Sequence, residues 1–102
     1  MTVKVTNSNF ESEVLQSSAP VLIDFYANWC MPCKMLSPVI EEISQEVSDA
    51  KVCKVNIDEE PELAQKFQVM SIPTLVVMKE GKVLSTAMGM RPKKDILKML
   101  AV

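Results

Sequence analysis

The stretch N-W-C-M-P-C-K-M, which runs from Asn28 to Met35, places two cysteines three positions apart around a proline. The chain contains only one other cysteine and no histidine. A cysteine pair of this spacing binds a metal, forms a structural disulfide or carries out thiol chemistry. Which of these applies depends on what the flanking sequence places around Cys30 and Cys33.

An apolar run precedes the pair and an amphipathic run follows it. Val21 to Ala27 is almost continuously apolar, as expected of a central strand that is covered on both faces. From Cys33 to Val47, apolar residues recur at three- and four-residue steps, which predicts one face of a long helix, and Pro38 should bend it. The pair therefore lies between a strand's carboxyl end and a helix's amino end, where open α/β sheets place their sites.

The rest of the chain alternates strands and helices in the same way. Ser8, with Glu11 three residues later, has the form of a capping box for a first helix, which Ala19 and Pro20 end. The other predicted elements are strands at 3–6, 52–57, 74–78 and 83–88 and helices that begin at 58–61 and at 92. This order predicts an α/β fold, with a mixed central sheet flanked by helices on both faces. No linker or repeat is visible, so we expect one domain over residues 1–102.

Composition and charge exclude several classes of function. The chain of 102 residues is 48% apolar, which is enough to bury a core without disulfides or metals. Its net charge is -2 with interspersed acids and bases, so no basic surface is available for nucleic acid. It lacks the apolar run of a signal peptide or of a membrane span. We expect a cytoplasmic monomer with no nucleic-acid or membrane partner.

The position of the pair gives its two cysteines different chemistry. Cys30 lies at or just before the first helical turn, where free backbone N–H groups and the helix dipole favour a thiolate. Cys33 lies one turn later on the inward face and should be mostly buried. Cys30 would then attack a disulfide to form a mixed disulfide, and Cys33 would attack Cys30 to release the reduced target.

Two other uses of the pair are less favoured. A closed zinc site needs four ligands, and Cys53, in the middle of a predicted strand, is the only further thiol, so we predict no metal. A purely structural role is also disfavoured, because Pro32 and an exposed helix start suit reactivity better than packing. Cys53 itself has apolar neighbours and is interpreted as a small core residue without a redox role.

Along nearly its whole length, the chain resembles the thioredoxin family. The resemblance rests on the motifs D-F-Y-A-N-W-C-M-P-C-K, K-V-N-I-D-E-E-P and S-I-P-T, together with Pro38, Gly81 and Gly89. It implies a small cytosolic dithiol carrier that reduces protein disulfides and has no cofactor of its own. It also implies that a thioredoxin reductase, commonly the flavin enzyme that uses NADPH, returns the carrier to its reduced form.

The resemblance also implies roles for three residues outside the pair. Asp24 would lie behind Cys33 and take its proton through water, Lys54 would face that carboxylate, and Pro73 would be cis and pack against the cysteines. Burial in an apolar strand should in any case raise the pKa of Asp24. The alternatives are an Asp24 satisfied by backbone donors and a Lys54 that extends outward into solvent.

Further predicted residues surround the pair and would contact substrates. The backbone at Ile72 is suited to pairing with an extended segment, and Gly89 would let a partner's backbone approach closely. Met31, Met70 and Met90 would form an adaptable apolar rim, unless they merely reflect a chain with eight methionines. The whole predicted set is Trp29, Met31, Pro32, Ile57, Met70, Ile72, Gly89 and Met90.

The chain departs from the family at two positions and leaves four interpretations open. Met31 stands where glycine is common between the cysteines, and Tyr26 stands where tryptophan is common. A general disulfide reductase is the first interpretation, and Met31 favours a second, a specialised carrier with one dedicated partner. The third is a noncatalytic binding module, against which the intact pair weighs. The fourth is an oxidase or isomerase of an exported compartment, which the absent leader disfavours.

Overall fold

The computed structural model describes all of residues 1–102. In chain order its elements are β1 Val3–Lys4, a single π-helical turn Glu11–Leu15, β2 Val21–Tyr26, α1 Met31–Glu46, β3 Lys51–Asn56, α2 Pro61–Lys66, β4 Thr74–Lys79, β5 Lys82–Met88 and α3 Lys93–Leu100. No helix combines the length and the apolar character that crossing a bilayer requires.

The five strands form one mixed sheet in the order β1-β3-β2-β4-β5. β3 runs parallel to β1 and β2, whereas β4 runs antiparallel to β2 and to β5. β2 therefore lies at the centre with a strand on each side, which explains why its sequence is almost continuously apolar. The predicted α/β class and mixed sheet are confirmed.

Two apolar cores lie on opposite faces of the sheet, because alternate residues of a strand point to opposite sides. One core joins Val21, Ile23 and Phe25 of β2 to the π-helical turn and α2. The other joins Leu22 of β2 to α1 and α3. By the same alternation, Asp24 is on the side of the sheet that α1 covers. Helices on both faces of the sheet were predicted. α1, which carries Cys33, covers the face of the sheet on which Asp24 lies.

The first helix differs from its prediction. It has Phe10 at its N-cap with no side-chain hydrogen bond, so the capping box of Ser8 and Glu11 is wrong. The Asn9 side chain instead accepts a hydrogen bond from the Thr6 N–H at 2.7 Å, while the hydroxyl of Ser8 bonds that of Thr6. This local turn occupies the residues that would have formed the cap. The helical turn also ends at Leu15, short of the predicted stop at residues 19–20.

α1 is continuous over residues 31–46 and contains Pro38 in its interior. The bend predicted at Pro38 stays a prediction.

In the tight turn between β4 and β5, Glu80 and Gly81 both have positive φ angles, 53° and 79°. That geometry matches the right-handed twist of the hairpin strands, so the predicted hairpin is confirmed.

Candidate active site

β2 leads directly into the cysteine pair. After Tyr26 the chain makes a turn in which the Cys30 N–H donates to the Ala27 carbonyl at 3.2 Å. Cys30 is the N-cap residue of α1, and Pro32 lies in the first helical turn. A proline suits that position because N–H groups of the first turn have no partner within the helix.

Cys30 and Cys33 are joined by a disulfide, with their Cα atoms 5.2 Å apart. The Sγ of Cys30 also accepts a hydrogen bond from the backbone N–H of Cys33 at 3.2 Å. This is the contact that an N-cap side chain makes with the third residue of a helix. After reduction, the same N–H and the positive end of the helix dipole would stabilise a thiolate on Cys30.

The two cysteines are equally buried, each with 4% of its surface exposed. The burial of Cys33 was predicted, and Cys30 is buried to the same extent although its neighbours Trp29 and Met31 leave the helix start exposed. Ile57 and Ile72, which belong to other loops, pack with Tyr26 against the pair. The difference between the cysteines therefore lies in their positions in the helix and in their hydrogen bonds rather than in exposure.

Three loops meet at the disulfide. The Sγ of Cys30 lies 3.8 Å from the carbonyl oxygen of Ile72. The Ile72–Pro73 peptide bond is cis, as predicted. The Pro73 carbonyl in turn accepts a hydrogen bond from the Gly89 N–H at 2.8 Å. Gly89 has φ 85°, and a side chain there would meet no atom within 4 Å, so backbone conformation accounts for the glycine.

Asp24 is fully buried in β2 beneath α1. Burial raises the pKa of its carboxyl to about 6, although the positive charge of Lys54 opposes the rise. Its Oδ1 has no hydrogen-bond partner, so the alternative in which backbone donors satisfy the acid is wrong. A buried carboxyl in this state can exchange a proton near neutral pH.

Lys54 and Asp24 are neighbours in the parallel register of β3 and β2. The ammonium of Lys54 does not form an ion pair with that carboxylate. It donates instead to the Ser37 hydroxyl at 3.0 Å and lies 4.6 Å from the centre of the Tyr26 ring. The lysine thus remains partly buried within the fold, and sequence reasoning missed its partner Ser37 on α1.

A cleft of about 340 Å³ opens beside Cys33. Its lining residues are Tyr26, Ala27, Asn28, Cys33, Lys34, Ser37 and Lys54. Two of them, Cys33 and Lys54, are predicted site residues that lie far apart in sequence. Asp24 does not line the cleft, but Lys54, its neighbour in the sheet, does.

A second, mainly apolar groove of about 300 Å³ contains four of the predicted substrate-contacting residues. It is lined by Trp29, Ile57, Val69, Met70, Ser71 and Ile72. The indole N–H of Trp29 donates to the Asp58 carboxylate at 2.8 Å, which holds the exposed ring at the groove. Val69, Ser71 and Asp58 were not predicted as contacts, although Ser71 and Asp58 belong to the quoted motifs S-I-P-T and K-V-N-I-D-E-E-P.

The remaining predicted substrate-contacting residues lie outside that groove. Met31 and Pro32 belong to the first turn of α1, and Met90 follows Gly89 in the loop that is hydrogen-bonded to Pro73. Met31, Met70 and Met90 are all exposed. Three further exposed methionines, at positions 1, 35 and 88, were not predicted to belong to this surface.

Cys53 is fully buried in β3, between Val3 of β1 and Ile23 of β2, and is a free thiol. Burial raises its pKa to about 12. The prediction of a small core residue is confirmed. No group of three or more cysteine, histidine, aspartate or glutamate side chains is arranged to hold a metal ion.

Comparison with known proteins gives a match along the whole chain. The family model described as Thioredoxin matches residues 1–102. The thioredoxin of Rickettsia bellii is 46% identical over 101 residues, which are 98% of this chain and 96% of the relative. The thioredoxin of Mycobacterium tuberculosis strain H37Rv is 46% identical over 101 residues, 98% of this chain and 87% of that protein. Thioredoxin 1 of Synechococcus elongatus is 48% identical over 97 residues, which are 94% of this chain and 91% of that protein.

Proposed function

The chain belongs to the thioredoxin family, and we propose that its thiol–disulfide oxidoreductase activity reduces protein disulfides through Cys30 and Cys33. One observation carries the proposal. The two cysteines form a disulfide at the start of α1, where the N–H of Cys33 already hydrogen-bonds the Sγ of Cys30. The same donor is in place for the thiolate of the reduced protein.

The reaction has two exchange steps. The Cys30 thiolate attacks one sulfur of the target disulfide, so that a mixed disulfide forms and the target's other sulfur leaves as a thiolate that takes up a proton. Cys33 then loses its proton and attacks the Sγ of Cys30, which releases the second target thiol. The target gains two electrons and two protons, and the chain ends with the Cys30–Cys33 disulfide.

Asp24 is the proposed acceptor of the Cys33 proton, with water in the adjoining cleft as the carrier. Its raised pKa, about 6, supports this assignment because a carboxyl that titrates near neutral pH both takes up and releases protons readily. Lys54 is proposed to fix the position of the cleft's polar side chains through its hydrogen bond to Ser37. Its positive charge would also limit the rise in the pKa of Asp24.

Protein targets are proposed to dock on the surface formed by the three converging loops. An extended target segment would pair with the backbone at Ile72, next to the cis bond of Pro73, and lie in the apolar groove. The proposed contacts comprise Trp29, Met31, Pro32, Ile57, Met70, Ile72, Gly89 and Met90. The glycine leaves room for a partner's backbone because nothing lies within 4 Å of its missing side chain.

A thioredoxin reductase is the proposed electron donor, and any flavin or nicotinamide would belong to that partner rather than to this chain. We also propose that residues 1–102 act as a single domain, that the protein is a monomer and that it works in the cytoplasm. These proposals rest on membership of the family.

A specialised carrier with one dedicated partner is the second candidate. The observation that favours it is Met31, an exposed side chain directly after Cys30, at the point where the target sulfur must arrive. A dedicated carrier would reduce insulin poorly while reducing its own partner well.

Reduction of insulin disulfides tests the proposed function. The parent chain should accelerate insulin reduction by dithiothreitol, and by NADPH when a thioredoxin reductase is supplied. Cys30→Ser and Cys33→Ser should each abolish the acceleration, whereas an exposed change such as Asp49→Asn should leave it intact. Absence of turnover with dithiothreitol in the folded parent would refute a general reductase.

A further inference from the structure

We infer that Met31, Met70 and Met90 are modification sites, at which peroxide forms methionine sulfoxide and thereby blocks docking of protein substrates without impairing the cysteine chemistry. This inference rests on the proposed function, because it concerns the surface that protein targets would cover. It assigns to that surface a sensitivity to oxidants that the exchange reaction itself does not require.

The three thioethers are open to solvent and belong to one surface. Met31, Met70 and Met90 are 64%, 89% and 44% exposed, respectively. Met31 directly follows Cys30, and Met70 lines the groove that contains Trp29. Met90 follows Gly89, whose N–H is hydrogen-bonded to the loop on which Met70 lies. The start of α1, the loop of Ile72 and the loop of Gly89 thus each carry one accessible thioether.

The oxidation is a two-electron step with a simple balance. The thioether sulfur attacks one oxygen of the peroxide, the O–O bond breaks, a sulfur–oxygen bond forms and water leaves. The sulfur loses two electrons, which the peroxide gains. The product is polar and chiral where the parent side chain was apolar and flexible.

In the disulfide form of the protein, the thioethers are the sulfurs that peroxide reaches most readily. Cys30 and Cys33 are bonded to one another, so neither presents a thiolate. Cys53 is a free thiol, but it is fully buried in the centre of β3. An oxidant that keeps the pair as a disulfide would therefore act next on the methionines around it.

The contacts that serve the chemistry do not involve these methionine side chains. The hydrogen bond to the Sγ of Cys30 comes from the Cys33 backbone, and the neighbouring oxygen is the Ile72 carbonyl. A sulfoxide on the surrounding surface leaves those atoms unchanged. It does, however, put a polar group without a partner against the apolar part of a docked protein, which weakens binding. A small disulfide covers little of this surface and should be insensitive.

The chain supplies its own control residues. Met1 is 90% exposed but lies beside Glu41, ten residues along α1 from Met31 and therefore roughly 15 Å away along the helix axis. Met78 is buried in β4 and should resist oxidation. The exposed methionines at positions 35 and 88 remain in every variant below, so comparisons between variants isolate the three sites.

The test uses the full chain in its disulfide form. Hydrogen peroxide is applied and then removed with catalase, and the sulfoxides are mapped by mass spectrometry. The cysteines are then reduced with dithiothreitol, which leaves sulfoxides in place, and the dithiothreitol is removed so that the reduced protein is the only reductant. Rates are measured with insulin and with a small aromatic disulfide, dithiobis-nitrobenzoate. The variants are the triple substitution Met31→Leu, Met70→Leu and Met90→Leu, and the control Met1→Leu, each compared with its own untreated sample.

The second-order rate constant of the reduced parent with insulin should fall about tenfold or more after peroxide, and that with the small disulfide less than about twofold. Met1→Leu should lose as much as the parent, and the triple variant should lose little. The inference is overturned if oxidised parent reduces insulin at its untreated rate, if the triple variant loses as much as the parent, or if both substrates slow equally. It is also overturned if Met78 is oxidised before the three sites.

Failure of the proposed function would look different. Untreated parent would then already fail to reduce insulin, before any peroxide is added, and the inference would fall with it. A loss of insulin reduction that appears only after peroxide treatment cannot result from failure of the proposed function.

Discussion

Replacing Asp24 by asparagine should stabilise the disulfide form of the protein above about pH 6. Burial in β2 raises the pKa of Asp24 from 3.8 to about 6, against the opposing charge of Lys54. The unfolded chain therefore gives up this proton more readily than the folded chain, so folding stability falls as the pH rises from about 4 to about 6. At about 1.4 kcal/mol per pKa unit, the ionised carboxyl destabilises the fold by about 3 kcal/mol.

The gain in Asp24→Asn should be at most about 3 kcal/mol at about pH 8, since the new amide still lacks a partner, and should disappear below about pH 4, where both states hold the proton. Urea unfolding followed by circular dichroism, at both pH values, measures it. Asp49→Asn removes an exposed acid and should change stability by less than about 0.5 kcal/mol. Equal stability of parent and Asp24→Asn at about pH 8, or a gain of the same size at about pH 4, would show that the buried charge of Asp24 does not destabilise the fold.

Other perturbations give equally specific expectations. In the reduced protein, iodoacetamide should modify Cys30 before Cys33 or Cys53, as mapped by mass spectrometry, and simultaneous labelling of Cys30 and Cys33 would contradict the N-cap argument. Cys53→Ala should lower the free energy of unfolding by roughly 1 kcal/mol and keep insulin reduction, so a folded but inactive variant would reveal a third redox thiol. Gly89→Ala should lower the free energy of unfolding by about 1 to 2 kcal/mol, because φ is 85° there, although the new side chain would meet no clash. An unchanged unfolding midpoint would show that the loop relaxes freely.

The elements that position the site could be predicted because neighbours along the chain decide them. β2 is recognisable from its continuous apolar run, and α1 from apolar residues at helical steps. Since those two elements adjoin, the location of Cys30 at the start of a helix followed without any tertiary information. The β4–β5 hairpin could also be predicted from local sequence, because Gly81 marks its turn.

The parts that could not be predicted depend on contacts between distant segments. Cys30 is buried because Ile57 and Ile72 arrive from other loops, which no local pattern indicates. The ammonium of Lys54 bonds Ser37 on α1, a choice that depends on how the helix lies across the sheet. The first helix was predicted incorrectly for a different reason: Thr6 hydrogen-bonds Ser8 and Asn9 in a local turn, and the helix begins without a side-chain cap.

Trapping of mixed disulfides distinguishes the two cysteines, because Cys30 is expected to attack the target and Cys33 to resolve the intermediate. Cys33→Ser and Cys30→Ser variants would each be incubated with insulin in its disulfide form, and adducts would be counted by mass spectrometry without added reductant. We expect abundant adducts through Cys30 in Cys33→Ser and few in Cys30→Ser. Equal trapping by both variants, or adducts formed mainly through Cys33, would contradict this expectation.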